Sequence, residues 1–249
     1  MNAVIETTET RNLQKTGGKT EIFYPDTDEN IMPEGIIHFW LSVNLASILH
    51  TFFSSQFDTQ IFGNSMLYFE EGNNKKVISP DLMVCFGLQE IPTRVYKLWE
   101  QKVVPSVIIE LASDSTWDKD LTVKLALYQR LGVSEYYIFD VEYKCLRKPL
   151  MAFRLVDFVY EEVETDNNRV FSPSLGLELV DTGETLRLFC VETNEFLMTQ
   201  EEMNFRQQEL DSKQQKLDSK QQELDSKQLV LEKENAELKA ELASLKQTK

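Results

Sequence analysis

Ser79-Pro80-Asp81-Leu82-Met83-Val84, Val107-Ile108-Ile109-Glu110-Leu111-Ala112 and Asp118-Lys119-Asp120-Leu121-Thr122-Val123-Lys124 decide the fold of this chain. The first two are short apolar runs and read as strands, each carrying one carboxylate; the third reads as a helix carrying a lysine. Glu110 interrupts a run that is apolar on both faces, the pattern of a strand in the middle of a sheet. A carboxylate there is costly unless it is paired or metal-bound. Pro80 cannot donate to a β-ladder and belongs at an edge, a bulge or a strand start, so Asp81 opens the apolar run beyond it. Two carboxylates brought together can hold a hard divalent cation through oxygen ligands. A nearby ammonium can then stabilise charge developing on a phosphate.

Around Glu110 the order is strand, helix, strand. Ser113-Asp114-Ser115-Thr116 is a helix-start cluster, and the spacing predicts a helix from about Thr116 to Leu131 ending at Gly132. At about 100° per residue, Trp117, Asp120, Leu121, Lys124, Tyr128 and Leu131 share one side, so Lys124 lies within the apolar stripe. An i,i+4 ion pair with Asp120 is the plain structural explanation of Lys124. Ser134 to Asp140 reads as the next strand and completes a crossover unit in a mixed sheet.

Upstream, residues 1–32 are polar and read as a flexible N-terminal arm with one anchoring strand at Ile22-Phe23-Tyr24. From Pro33 the apolar positions Ile36, Ile37, Phe39, Trp40, Val43, Leu45, Ile48, Leu49 and Phe52 predict a long helix with a broad buried face. His38 within it reads as a core or rim residue. Thr59 to Gly63 and Met66 to Glu70, separated by Asn64-Ser65, read as a hairpin. Residues 87–104 interleave Arg94, Tyr96, Lys97, Trp99 and Lys102; a strip lying on a nucleic-acid backbone is one reading, an amphipathic turn packing Leu98 and Trp99 the plainer one. Short strands from Leu150 to Cys190 extend or flank the sheet. An α/β domain is thus expected over residues 33–198, and residues 199–249 read as a separate helix.

In that tail Gln-Gln-Glu/Lys-Leu-Asp-Ser-Lys recurs with the heptad period, placing Leu210, Leu217, Leu224, Leu231, Leu238 and Leu245 at position d. Position a holds Gln207, Gln214, Gln221, Gln228, Asn235 and Leu242. Charges at e and g attract across a parallel pair, so a coiled-coil homodimer through residues 203–249 is expected.

Composition bounds the function. The 249 residues and 42% hydrophobic share suit a globular core, and the net charge of −15 argues against nonspecific coating of nucleic acid, which needs Lys and Arg. No apolar run approaches the roughly 20 residues that span a bilayer, and no secretory leader is visible at the N-terminus, so a cytoplasmic location is expected. Cys85, Cys145 and Cys190 lack paired spacing and read as reduced core residues.

Residues 35 to 198 resemble the Uma-type (Uma-two) family of restriction-endonuclease-like proteins of cyanobacteria. The resemblance is carried by Ser-Pro-Asp at 79–81 ahead of an apolar strand and Val-Ile-Ile-Glu-Leu-Ala-Ser at 107–113. It continues through Asp120, Lys124 and Tyr128 to Gly-Val-Ser-Glu-Tyr-Tyr-Ile-Phe-Asp at 132–140. It implies a PD-(D/E)xK nuclease fold, an α/β restriction-endonuclease-like mixed sheet flanked by helices, here followed by the C-terminal coiled-coil helix. It also implies Asp81 and Glu110 as Mg2+ (or Mn2+) ligands. Ala112 stands where the family's usual lysine would follow the glutamate, and the resemblance gives that work to Lys124. The expectation is a metal-dependent DNA endonuclease with Asp81, Glu110 and Lys124 as its catalytic residues, made dimeric by the tail. The alternative is an inactive nuclease fold used as an interaction module.

Overall fold

Short runs rich in aliphatic and aromatic residues become the strands of a mixed central sheet. The computed structural model describes residues 13–16, 19–25, 35–88 and 94–247, in two units, 1–199 and 200–249. Chain order begins with β1 (Leu13–Thr16) and β2 (Lys19–Ile22), an antiparallel pair, then α1 (Ile36–Phe52), β3 (Gln60–Gly63), β4 (Leu67–Tyr68), β5 (Val77–Ile78) and β6 (Leu82–Cys85). β7 (Tyr96–Lys97) runs into α2 (Leu98–Gln101), followed by β8 (Val107–Ala112). The crossover comprises α3 (Trp117–Lys119), a π-helical turn (Asp120–Lys124) and α4 (Leu125–Leu131), leading to β9 (Glu135–Asp140). Then come β10 (Leu150–Val156), β11 (Val159–Val163), β12 (Arg169–Ser172), β13 (Leu177–Asp181), β14 (Leu186–Cys190) and β15 (Glu195–Phe196).

The central sheet has the order β11-β10-β9-β8-β6-β3, antiparallel throughout except that β8 and β9 run parallel. Every residue of β8 and β9 is buried, as two faces covered by other elements require. Strand alternation divides the core. Ile109 and Leu111 pack with Leu45, Leu49, Leu177 and Leu188, so one face lies under α1 and the four-stranded sheet β12-β13-β14-β15. Ile108 and Ala112 pack with Tyr128, Val133 and Tyr136, so the other face lies against the crossover segment. Glu110 shares this second face by period.

Four expectations change. The hairpin between β3 and β4 does not form: β3 pairs with β6, while β4 joins β5 and β7 in a separate three-stranded sheet. Asn64, at φ 47°, turns the chain out of one sheet, and the Pro80 region carries it back, because β5 and β6 belong to different sheets. Helix α1 buries only Leu41, Ser42, Leu45, Ile48 and Leu49; Ile36, Phe39, Trp40 and Val43 lie away from that stripe and are exposed, and so is Ile37 in the first turn. Cys145 is only half-buried, with its thiol donating to Asp114 Oδ1 (3.1 Å), whereas Cys85 and Cys190 are buried; all three are free thiols. Within the stretch read as an arm, the hairpin β1-β2 forms and Tyr24 and Pro25 are tied down: Gly72 N–H donates to Tyr24 Oη and Tyr68 donates to the Pro25 carbonyl. The helix start at Pro33-Glu34 and the rest of the arm lie outside the described residues.

The tail is one helix, α5 (Gln200–Gln247). Leu210, Leu217, Leu224, Leu231 and Leu238 are each more than half exposed along it. No helix among the described residues is long and apolar enough to cross a membrane.

Candidate active site

Leu82 lies opposite Ile109 in the β6-β8 ladder, so the next step toward the start of β6 brings Asp81 beside Glu110. Each carboxylate accepts from a backbone N–H of the other's segment. Asp81 Oδ2 accepts from the Leu111 N–H (2.7 Å) and Glu110 Oε2 accepts from the Asp81 N–H (3.2 Å). Tyr128, from α4, donates its hydroxyl to Glu110 Oε1 (2.7 Å). Lys124 Nζ sits 2.9 Å from Glu110 Oε2 and 2.8 Å from Asp120 Oδ1, with its side chain 17% exposed while that of Glu110 is fully buried. The i,i+4 pair with Asp120 and the contact with Glu110 therefore coexist.

The π-helical turn begins at Asp120, whose carbonyl accepts from the Tyr136 hydroxyl (2.9 Å). A π turn breaks the regular i→i−4 ladder, and this hydroxyl from β9 supplies the displaced carbonyl with a donor. The expected single helix from Thr116 to Leu131 is thus interrupted at the residues that supply the charges; its expected end at Gly132, in the left-handed region at φ 84°, is observed.

His38 joins the group from the opposite side. Its Nε2–H donates to the Leu111 carbonyl (2.8 Å), and the same nitrogen lies 3.4 Å from Asp81 Oδ2. Asp81 Oδ2 and the Leu111 carbonyl therefore face one point. The reading of His38 as a plain core or rim residue is replaced by a place at the site.

Burial and charge sort the carboxylates. Burial alone would raise the Asp81 carboxyl, but the His38 hydrogen bond and the Lys124 charge outweigh it and hold it below the usual range. Burial pushes the Glu110 carboxyl up to about 8, against the pull of Lys124. It raises the Asp120 carboxyl as well, again opposed by Lys124. Burial would lower the Lys124 ammonium, yet Glu110 and Asp120 together raise it above its ordinary value, so the lysine stays charged.

The donor set fits a hard cation in kind. Asp81 and Glu110 supply carboxylate oxygens on neighbouring strands. Among the described residues no cluster of three or more His, Cys, Asp or Glu could hold a metal, so these two carboxylates would hold a cation together with water. Replacing Tyr128 by Phe removes the donor to Glu110 Oε1 and leaves a buried acceptor unpaired. Tyr128→Phe is expected to lower stability by about 1–3 kcal/mol in urea unfolding.

A family model described as "Uma2: Putative restriction endonuclease" matches residues 9–184. This chain belongs to that family. The Uma2 match covers the whole central sheet and every residue of the site described above, and with the mixed sheet flanked by helices it makes the fold restriction-endonuclease-like. Among solved structures, the chain is similar to one described as a putative nuclease belonging to DUF820 from Anabaena variabilis ATCC 29413. The two are 16% identical with a TM-score of 0.43 over 64% of this chain and 80% of that one. No curated protein matches the chain. Of the residues in this cluster, Asp81, Glu110 and Lys124 were expected from the sequence and come together; His38 was not expected, Asp120 was expected only as the ion-pair partner of Lys124, and Tyr128 was matched to the family without a role.

Proposed function

We propose that this chain is a metal-dependent endonuclease that hydrolyses phosphodiester bonds in DNA. The observation that carries the reading is the convergence of Asp81, Glu110 and Lys124 from two strands and a helix into one laced group. Asp81 and Glu110 would hold Mg2+ or Mn2+, which when bound supplies a Lewis acid for the phosphate and an acidified water as nucleophile. The chain's own residues do the rest. Hydrogen bonds from Leu111 and Asp81 backbone N–H groups fix both carboxylates in the ladder. Tyr128 fixes the second oxygen of Glu110, and His38 orders the Leu111 carbonyl beside Asp81. Lys124 presents a fixed positive charge where negative charge grows on the phosphate, and Asp120 keeps its ammonium from swinging into solvent. Ala112 leaves the usual lysine position without a charge, which the helix makes good.

We further propose that the tail pairs two chains as a homodimer, placing two sites on one duplex, and that the protein works in the cytoplasm. Supercoiled plasmid incubated with pure protein and Mg2+ or Mn2+ is expected to be nicked, and the nicking to stop with EDTA. Absence of metal-dependent nicking would leave the inactive interaction module as the better reading.

A further inference from the structure

The heptads of α5 from Gln207 to Lys227 are nearly identical, so leucine spacing alone would let two copies slide past each other in steps of seven residues. We infer that the tail is built to pair with a second copy of itself in one orientation and one register, parallel and unstaggered. The device is a change of charge sign after Lys227 together with Asn235. This rests on the pairing proposed above and adds its geometry.

Three observations carry it. First, Leu210, Leu217, Leu224, Leu231 and Leu238 form an exposed apolar seam at heptad spacing on a helix whose other positions are mostly polar, with Phe205, Leu229 and Val230 as its further exposed large apolar residues among those whose side chains are described. Second, each glutamine in the seam is clipped to the acidic residue one turn later on the same helix. Gln207 donates to Asp211 (2.7 Å), Gln214 to Asp218 (2.8 Å), Gln221 to Asp225 (2.7 Å) and Gln228 to Glu232 (3.1 Å). Each clip holds an acidic group at position e, where a neighbour's g residue arrives in a parallel pair. Third, those g residues are complementary: Arg206, Lys213, Lys220 and Lys227 would meet Asp211, Asp218, Asp225 and Glu232 of a second copy, while Glu234 and Glu241 would meet Lys239 and Lys246. Lys227 bonds to Glu223 in the single helix (2.6 Å), a surface pair that pairing with a second copy exchanges.

The sign change penalises the alternatives. A slip of one heptad sets Lys227 against Lys239 and Glu234 against Glu232, and removes Asn235 from Asn235. An antiparallel pair of full overlap sets Lys220 against Lys227 and Asp225 against Glu232. It also stacks glutamine against leucine, because a packs on d there, whereas a parallel pair keeps glutamine with glutamine. Only the parallel, unstaggered pair satisfies every charge.

The test uses the full chain carrying Cys145→Ser, because Cys145 is the least buried native thiol. Nitroxide labels are placed singly at Ser212→Cys and Ala240→Cys, both at outer f positions. Electron-electron distance measurements are expected to give one narrow distance, the same at both sites. A one-heptad slip adds an axial offset of about 10 Å, and an antiparallel pair one of about 40 Å, at about 1.5 Å per residue. Either offset, or a broad distribution, overturns the register while leaving the dimer standing. A monomer mass by sedimentation at all concentrations overturns the pairing itself. In the variant Glu234→Lys/Asn235→Gln/Lys239→Glu/Glu241→Lys/Lys246→Glu every unstaggered pair stays attractive but the sign change is gone. This variant is expected to remain dimeric with several distances, and a single unchanged distance in it overturns the assigned cause.

Discussion

Glu110→Gln and Asp81→Asn are each expected to lower metal-dependent nicking of supercoiled DNA by at least about a hundredfold. Both replacements keep shape, and each keeps an acceptor oxygen. In Asp81→Asn the amide oxygen still accepts from the Leu111 N–H, and in Glu110→Gln the amide oxygen still accepts from the Tyr128 hydroxyl. What disappears is the negative charge that a hard divalent cation requires. Calorimetric titration with Mn2+ in the absence of DNA should show weakened binding in both variants, and unchanged binding together with unchanged nicking would sink the assignment. Both variants should lose stability. Glu110 is fully buried and pairs with Lys124, so Glu110→Gln takes that partner from the ammonium and sets an amide nitrogen against two donors, and it should unfold clearly below the wild-type temperature. Asp81 is partly open and ionised below the usual range, so Asp81→Asn loses a favourable interaction with Lys124 and His38.

Lys124→Met should carry the largest loss of stability, about 3 kcal/mol, because it strips the shared counter-charge from two buried carboxylates. The loss should depend on pH in a definite direction. The folded Glu110 carboxyl, pushed up by burial to about 8, lies above its unfolded value of 4.5, so its contribution is fully present below about pH 4.5 and is lost as pH rises toward 8. Lys124 opposes that rise, and without it the folded value climbs further. Lys124→Met should therefore be close to wild type near pH 5 and clearly weaker near pH 8.5, by thermal unfolding at the two pH values. The double variant Lys124→Met/Glu110→Gln should recover much of the difference. Equal losses at both pH values would show that packing, and not charge, is what the lysine contributes.

The crossover unit was legible because its signals are local. β8 is an apolar run broken only by Glu110, β9 carries Tyr-Tyr-Ile-Phe between Glu135 and Asp140, and Gly132 marks a helix end by its own conformational freedom. Glu110 stood out for the same reason, as a charge where its neighbours leave no water. The partner of β3 was not legible: Gly63-Asn64-Ser65 announces a turn but not which strand lies beyond it, and the strand that pairs, β6, comes only after β4 and β5. The buried side of α1 was misread because apolar residues surround that helix, which leaves its period without a phase. His38 gives no sign in a single sequence, since its partners lie 43 and 73 residues away. The π-helical turn is equally silent, because the hydroxyl that supports it belongs to Tyr136 on the following strand.

That same dispersal sets the order in which the protein can come to life. The site draws on α1, the start of β6, β8 and the crossover helix, and its central strand pairs in parallel with β9, which is synthesised last of these. Parallel pairing across a crossover is a slow, nonlocal step in folding. A nascent chain still short of Glu135 on the ribosome thus carries every charged group of the cluster, yet lacks the strand and the Tyr136 hydroxyl that complete its frame. The cluster should therefore assemble abruptly once β9 has emerged, rather than tighten gradually as the chain lengthens.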